Sequence, residues 1–186
     1  MARVKGTKIT SKMEFVRDVF GEEGVQQVLD ALGPDERGQV RRALEIGWYD
    51  QELYDGLIQA ILAGPGDGDE RVLDRMGAYS ADRQSEQVYS VYFRSRDPRA
   101  VIEGMIPMHR MLNDPGEMSV ERRGDGHLSL VVQEPPGDPK SCRVARSFYQ
   151  RAVELCGVDD VTVREVECSG VGAGQCRFEV RWTAPS

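Results

Sequence analysis

The period of the apolar residues changes at Asn113-Asp-Pro-Gly116, and that change limits what the chain can fold into. Upstream, apolar positions recur every three or four residues, the spacing of amphipathic helices. Downstream, Met118 and Val120, then Leu128, Leu130 and Val132, alternate about a Gly124-Asp-Gly126 turn and read as a β-hairpin. A second alternating pair, Val161 to Cys168 and Cys176 to Trp182, flanks the glycine-rich Ser169 to Gln175. Successive hairpins make an antiparallel sheet, and helices before and between them must cover its apolar face. The expected fold class is therefore α+β.

Punctuation in the sequence places the helices. Ser11-Lys-Met-Glu14 reads as a capping box that opens a helix through Phe15, Val19 and Val28, and Gly33-Pro34 stops it. Asp50 caps a segment running to Ile61. Gly64-Pro-Gly-Asp-Gly-Asp69 interrupts the pattern, Glu70 resumes it through Val88 and Tyr92, and Asp97-Pro98 opens a helix that Pro107 should kink or end. The turn-rich Glu134 to Lys140 leads into a last helix from about Ser141 to Cys156, closed by Gly157. Residues 1–12 hold Arg3, Lys5, Lys8 and Lys12 without an acid and are expected to form a basic flexible arm. Residues 13–186 then form a single domain, with a helical layer at 13–63, a linker at 64–69 and a sheet-containing part at 70–186.

Composition excludes several function classes. With 186 residues and a net charge of −7, one domain with an ordinary core is expected, and general nucleic-acid binding, which needs a basic face, is not. No apolar run approaches the ~20 residues of a membrane span or the shorter core of a signal peptide, so a cytoplasmic protein is expected. There Cys142, Cys156, Cys168 and Cys176 are thiols or metal ligands more readily than disulfides. Folding the second hairpin symmetrically about Gly172 sets Cys168 opposite Cys176. Such a pair can bind a metal, oxidise, or pack as small apolar groups. Strict alternation, however, puts Glu165 on the face opposite Cys168, and only a bulge or an early strand end would bring the two together.

The stretch Arg164-Glu-Val-Glu-Cys-Ser-Gly-Val-Gly-Ala-Gly-Gln-Cys-Arg-Phe178 resembles the C-terminal signature of vinyl-4-reductase domains, the ligand-sensing modules of some phenol- and xylene-responsive bacterial activators. These are similar in fold to haem-NO-binding domains and to TRAPP tethering subunits. Glu165, Cys168 and Cys176 fall on the Glu-x-x-Cys-x7-Cys motif and Cys142 on the cysteine that precedes it, so the resemblance implies a structural zinc held by these four. It covers residues 140 to 182. The N-terminal helices, with Trp48-Tyr49 and Phe93 to Pro98, look more like a myxobacterial paralogous family.

The other candidates carry less. The glycine loop at 170–174 joins two strands and opens no helix, which argues against a phosphate cradle. Cys156 is too far along its helix from Cys142 to share an ion and reads as a core residue. His127 reads as solvated. His109 could ligate haem as in haem-NO-binding domains, but their Tyr-x-Ser-x-Arg signature is missing. No nucleophile and base pair up, and no hydride-carrier site supports a reductase, so no enzyme is expected. Met105, Ile106, Met108, Met111 and Leu112 form an adaptable apolar group suited to a ligand cavity. The function expected is a non-enzymatic regulatory module, a homodimer, that binds a small apolar ligand and signals through a partner protein. The alternative is a TRAPP-like scaffold with its pocket filled by its own side chains.

Overall fold

Val4, at the centre of a three-residue strand, is fully buried, and it anchors the chain at the start. The computed structural model of the protein describes residues 2–86, 89–133 and 137–183. Strand β1 (Arg3–Lys5) pairs antiparallel with β2 (Trp48–Asp50) on one side and β3 (Asn113–Asp114) on the other, which stitches the N-terminus to two distant points. The basic arm expected at 1–12 is thus a correction. Arg3 pairs with Asp114, the Lys5 ammonium lies 4.5 Å from the centre of the Trp48 ring, and Lys12 is buried. Sequence pattern misses β1 because three residues carry no measurable period.

Helix α1 (Gly6–Ala31) begins five residues before the expected capping box. Ser11 therefore lies inside the helix, where its hydroxyl sits 3.1 Å from that of Ser80. A break at Gly21, where φ is +68°, turns the helix, a conformation glycine adopts without a Cβ clash. Helix α2 (Pro34–Arg41) opens on Gly33, whose N–H donates 2.9 Å to Glu36. Helices α3 (Gln51–Ala63) and α4 (Arg71–Glu86) flank the Gly64 to Asp69 turn. Together these elements bury Ile9, Phe15, Leu57, Ile58, Ile61, Leu73 and Met76 in a first core.

Helix α5 (Pro98–Leu112) starts where Asp97 accepts the Arg99 N–H at 3.0 Å and continues through Pro107, which neither ends nor closes it. Val88 and Glu134 to Pro136, used in the sequence reading, lie outside the described residues. Strands β4 (Glu117–Gly124) and β5 (His127–Gln133), helix α6 (Pro139–Glu154), and strands β6 (Asp159–Glu167) and β7 (Cys176–Thr183) complete the chain. The sheet order is β4-β5-β7-β6, antiparallel throughout, as the two hairpins require. Its inner face, with Leu128, Leu130, Phe178 and Val180, packs on α5 and α6 to form a second core.

Helices α4 and α6 join the two cores. A Cβ on Gly77 would lie 2.3 Å from the Val144 carbonyl oxygen, so only glycine permits this helix crossing. Beside it Asp74 accepts from Arg143 at 2.8 Å and from Ser147 at 2.8 Å and also pairs with Arg146. Burial alone would raise the Asp74 pKa, but these donors outweigh it and hold it at about 2.

Candidate metal centre and adjoining cavity

Three backbone features bring the cysteines together. Asp138 caps α6 by accepting the Lys140 N–H at 2.7 Å, which sets Cys142 in the first turn of the helix facing the end of the sheet. Strand β7 carries Cys176 opposite Val132 of β5, on the inner face with Phe178 and Val180. After β6, Cys168 enters a short 3-10 turn (Ser169–Val171), and Gly172 reverses the chain at φ +101°. Gly170 is needed for another reason: a Cβ there would meet the Gly137 carbonyl oxygen at 2.4 Å, so glycine lets this loop lie against the head of α6.

The register of the second hairpin corrects the symmetric reading. Val163 faces Val180 and Glu165 faces Phe178, one residue out of step with pairing about Gly172, and a bulge between Glu165 and Glu167 restores the count. Val166 is thrown outward, 55% exposed, while Glu165 turns inward. Apolar patterning alone would choose the opposite arrangement, with valine inside. The bulge that strict alternation demanded is therefore present, and it delivers a carboxylate to the thiols.

The ligand atoms of Cys142, Glu165, Cys168 and Cys176 all lie within 4.8 Å of one another. The Cys142 sulfur is 3.7 Å from that of Cys176 and 3.7 Å from that of Cys168. A tetrahedron with sulfurs about 2.3 Å from its centre has edges of about 3.8 Å, so these spacings match one metal ion. All four cysteines are free thiols, which corrects the oxidised Cys168 to Cys176 alternative. Cys156 stands apart in the second core, its sulfur 3.7 Å from the Ala152 carbonyl oxygen.

Electrostatics make the group fit a cation. Cys176 receives the Cys142 S–H, the Ser169 N–H at 3.3 Å and the Ser169 hydroxyl at 3.2 Å, which together outweigh burial and lower its pKa to about 5. Cys142, as the donor of that hydrogen bond in a buried place beside Glu165, is raised. Cys142 thus keeps its proton although it sits in the first turn of α6, and Cys176 is the thiol that ionises first. Burial also raises Glu165 and Cys168, and one Glu165 carboxylate oxygen, Oε1, is buried without a hydrogen-bond partner. Several acids that cannot all ionise together, with an orphaned oxygen among them, form a donor set that could hold a metal. Ser169 was not singled out in the sequence; its place directly after Cys168, in the turn that returns to Cys176, was the available sign.

This cluster forms one wall of a cavity of about 150 Å³ between the helices and the sheet. Cys142, Ser169 and Cys176 line it, as do Lys12, Ser80 and Gln84, together with Met105, Met108, Leu112, Phe148 and Phe178. Of the apolar group expected to line a pocket, Met105, Met108 and Leu112 do so. Met111, 49% exposed, and the half-buried Ile106 do not, because they occupy other faces of α5. His109 lines the cavity with Asn113 Nδ2 3.2 Å from its Nδ1. His127 is not solvated as expected; it pairs with Glu179 on the outer face of the sheet. Among the described residues, no helix is long and apolar enough to cross a membrane.

The architecture is that of H-NOX proteins. The H-NOX protein from S. oneidensis in the Fe(II)NO ligation state matches with a TM-score of 0.74 at 12% identity, covering 96% of this chain and 99% of the other. The Fe(II) unliganded H-NOX protein from K. algicida matches with a TM-score of 0.71 at 14% identity, covering 97% of each chain. A variant of H-NOX from T. tengcongensis gives a TM-score of 0.71 at 14% identity, over 97% of this chain and 98% of the other. At such identities the likeness establishes the fold alone. A comparison with curated proteins returned no match. The model of the family described as "Protein of unknown function (DUF2378)" matches residues 76–183, more than half of the chain, including all four residues of the cluster.

Proposed function

The chain belongs to the DUF2378 family, and from that premise we propose that it is a non-enzymatic regulatory module that binds a small hydrophobic ligand and signals through a partner protein. The observation that carries this reading is the cavity, walled by helices on one side and sheet on the other, with the thiol cluster in the same wall. A ligand in that position touches both layers and the head of α6, so its binding can shift how the layers pack. The resemblance of residues 140 to 182 to vinyl-4-reductase sensors and that of the N-terminal helices to a myxobacterial paralogous family belong to this proposal.

Zinc is the proposed ion. Three thiols and a carboxylate at tetrahedral spacing suit it, and when bound it supplies a cross-link without redox chemistry. Cys142, Glu165, Cys168 and Cys176 would hold it, tying α6 to the hairpin of β6 and β7 at the cavity's edge. We assign the protein to the cytoplasm, as a homodimer. A TRAPP-like scaffold would have its pocket filled by its own side chains, and the cavity speaks against that.

Native mass spectrometry of the full chain tests the reading. One zinc per chain, a dimer mass, and a retained or added apolar mass such as toluene are expected. A chain that takes up no apolar molecule, with no rise in melting temperature on adding one, refutes it.

A further inference from the structure

Lys12, from α1, is only 3% exposed, yet it lines the cavity. A side chain so enclosed is met from the cavity rather than from bulk water. Its amine donates one N–H to the Ser80 hydroxyl at 2.5 Å, and Ser80 passes its own proton to the Met76 carbonyl oxygen at 3.0 Å. Ser80 therefore acts toward Lys12 as an acceptor, which leaves the nitrogen lone pair unspent whenever the amine is uncharged. The Ser11 hydroxyl, 3.1 Å from that of Ser80, also lines the cavity.

Met105, Met108, Phe148 and Phe178 line the same space. Burial penalises an ammonium, so an amine in such surroundings is a weak base. Here burial, with the neighbouring charge of Lys8 second, lowers the Lys12 pKa from 10.5 to about 7, and near neutrality much of it is the uncharged amine. Lys8 also lines the cavity, but its ammonium lies 4.5 Å from the centre of the Tyr54 ring and donates to Asn113 at 2.8 Å, contacts that suit a cation. The two lysines thus differ in kind: one is held as a charge and the other as a nucleophile.

Condensation with a carbonyl carbon is a reaction open to an uncharged amine beside an apolar space. A cavity near 150 Å³ is about what holds one benzene-sized body. We propose that Lys12 is a covalent ligand site, at which the amine captures a small aldehyde with a single apolar ring as an imine, the ring lying among Met105, Met108, Phe148 and Phe178. The nitrogen lone pair forms the C–N bond, and the carbonyl π pair moves to oxygen, which takes one amine proton to give a carbinolamine. The second N–H proton then passes to the hydroxyl, the C–O bond breaks and water leaves, so no oxidant or reductant is needed. The Ser11 hydroxyl can turn to relay these protons. This rests on the ligand-binding reading above and adds to it the functional group that the ligand presents and the residue that takes it.

Reductive trapping on the full chain tests it. The protein is treated with benzaldehyde and cyanoborohydride at neutral pH and mapped by peptide mass spectrometry, with Lys5 and Lys140 as internal references. Lys12 should gain a benzyl group at least ~tenfold faster than either, and toluene should slow that reaction at Lys12 alone. Labelling of Lys12 no faster than that of Lys5 and Lys140, or labelling that toluene leaves unchanged, overturns the imine proposal. The melting temperature with toluene, read without aldehyde, keeps the two failures apart: a rise beside slow labelling leaves the ligand-binding reading standing, and no rise removes both. Because the sites are compared within the unaltered chain, no variant has to fold.

Discussion

Lys12 should make the stability of the ligand-free protein depend on pH in an unusual direction. Burial, with Lys8 second, lowers its pKa from 10.5 to about 7. Between these values the unfolded chain holds a proton that the folded chain has released, so unfolding takes up protons and stability rises with pH. Below pH 7 the ammonium is charged in both states and its whole burial cost is present. A shift of about 3.5 units at about 1.4 kcal/mol each sets that cost at roughly 5 kcal/mol. Lys12→Met keeps a flexible chain of similar length and removes the charge. It gives up the hydrogen bond to Ser80, about 1 kcal/mol, so a net gain of several kcal/mol is expected at pH 6, shrinking to nothing by about pH 10. Urea unfolding of both proteins at pH 6, 8 and 10 measures this. Parallel stability curves, or a variant weaker by the same amount at every pH, would refute the reasoning, because the ammonium would then be hydrated or paired in the folded state.

Three further outcomes are expected. Cys168→Ser and Cys176→Ser should each lower the melting temperature of zinc-loaded protein by at least ~5 °C, a loss a chelator reproduces in the unaltered chain, whereas Cys156→Ser should not show this chelator-linked loss; equal effects at all three would contradict the metal assignment. Gly77→Ala should destabilise by about 1 to 3 kcal/mol in chemical denaturation, since the new methyl would press on the Val144 carbonyl oxygen 2.3 Å away. Asp74→Asn should weaken the protein at neutral pH but little at pH 2: the depressed pKa contributes stability above the ordinary value of 3.8 that is lost as pH falls through about 2, so acid unfolding curves of variant and parent should converge there.

Much of the fold could be read in advance because it rests on local rules. Asp97-Pro98 opened a helix as expected, and Met118 and Val120 faced Val132 and Leu130 as their alternation required. The sulfurs of Cys142, Cys168 and Cys176 do converge. Other features escaped for definite reasons. His127 looked solvated because its partner, Glu179, lies on a strand fifty-two residues away. Met111 and Met108 are indistinguishable in composition, yet the packing of α5 turns one outward and the other into the cavity.

Period, turn residues and cysteine spacing were enough to establish two hairpins under helices and a ribbon closed by thiols, since each depends on backbone preferences spanning a few residues. The inward turn of Glu165, the burial of Lys12 and the cavity were settled by packing. Register across a glycine-rich loop costs little to slip, and only the neighbouring helix and strands can decide which side chain is enclosed and which is left in water.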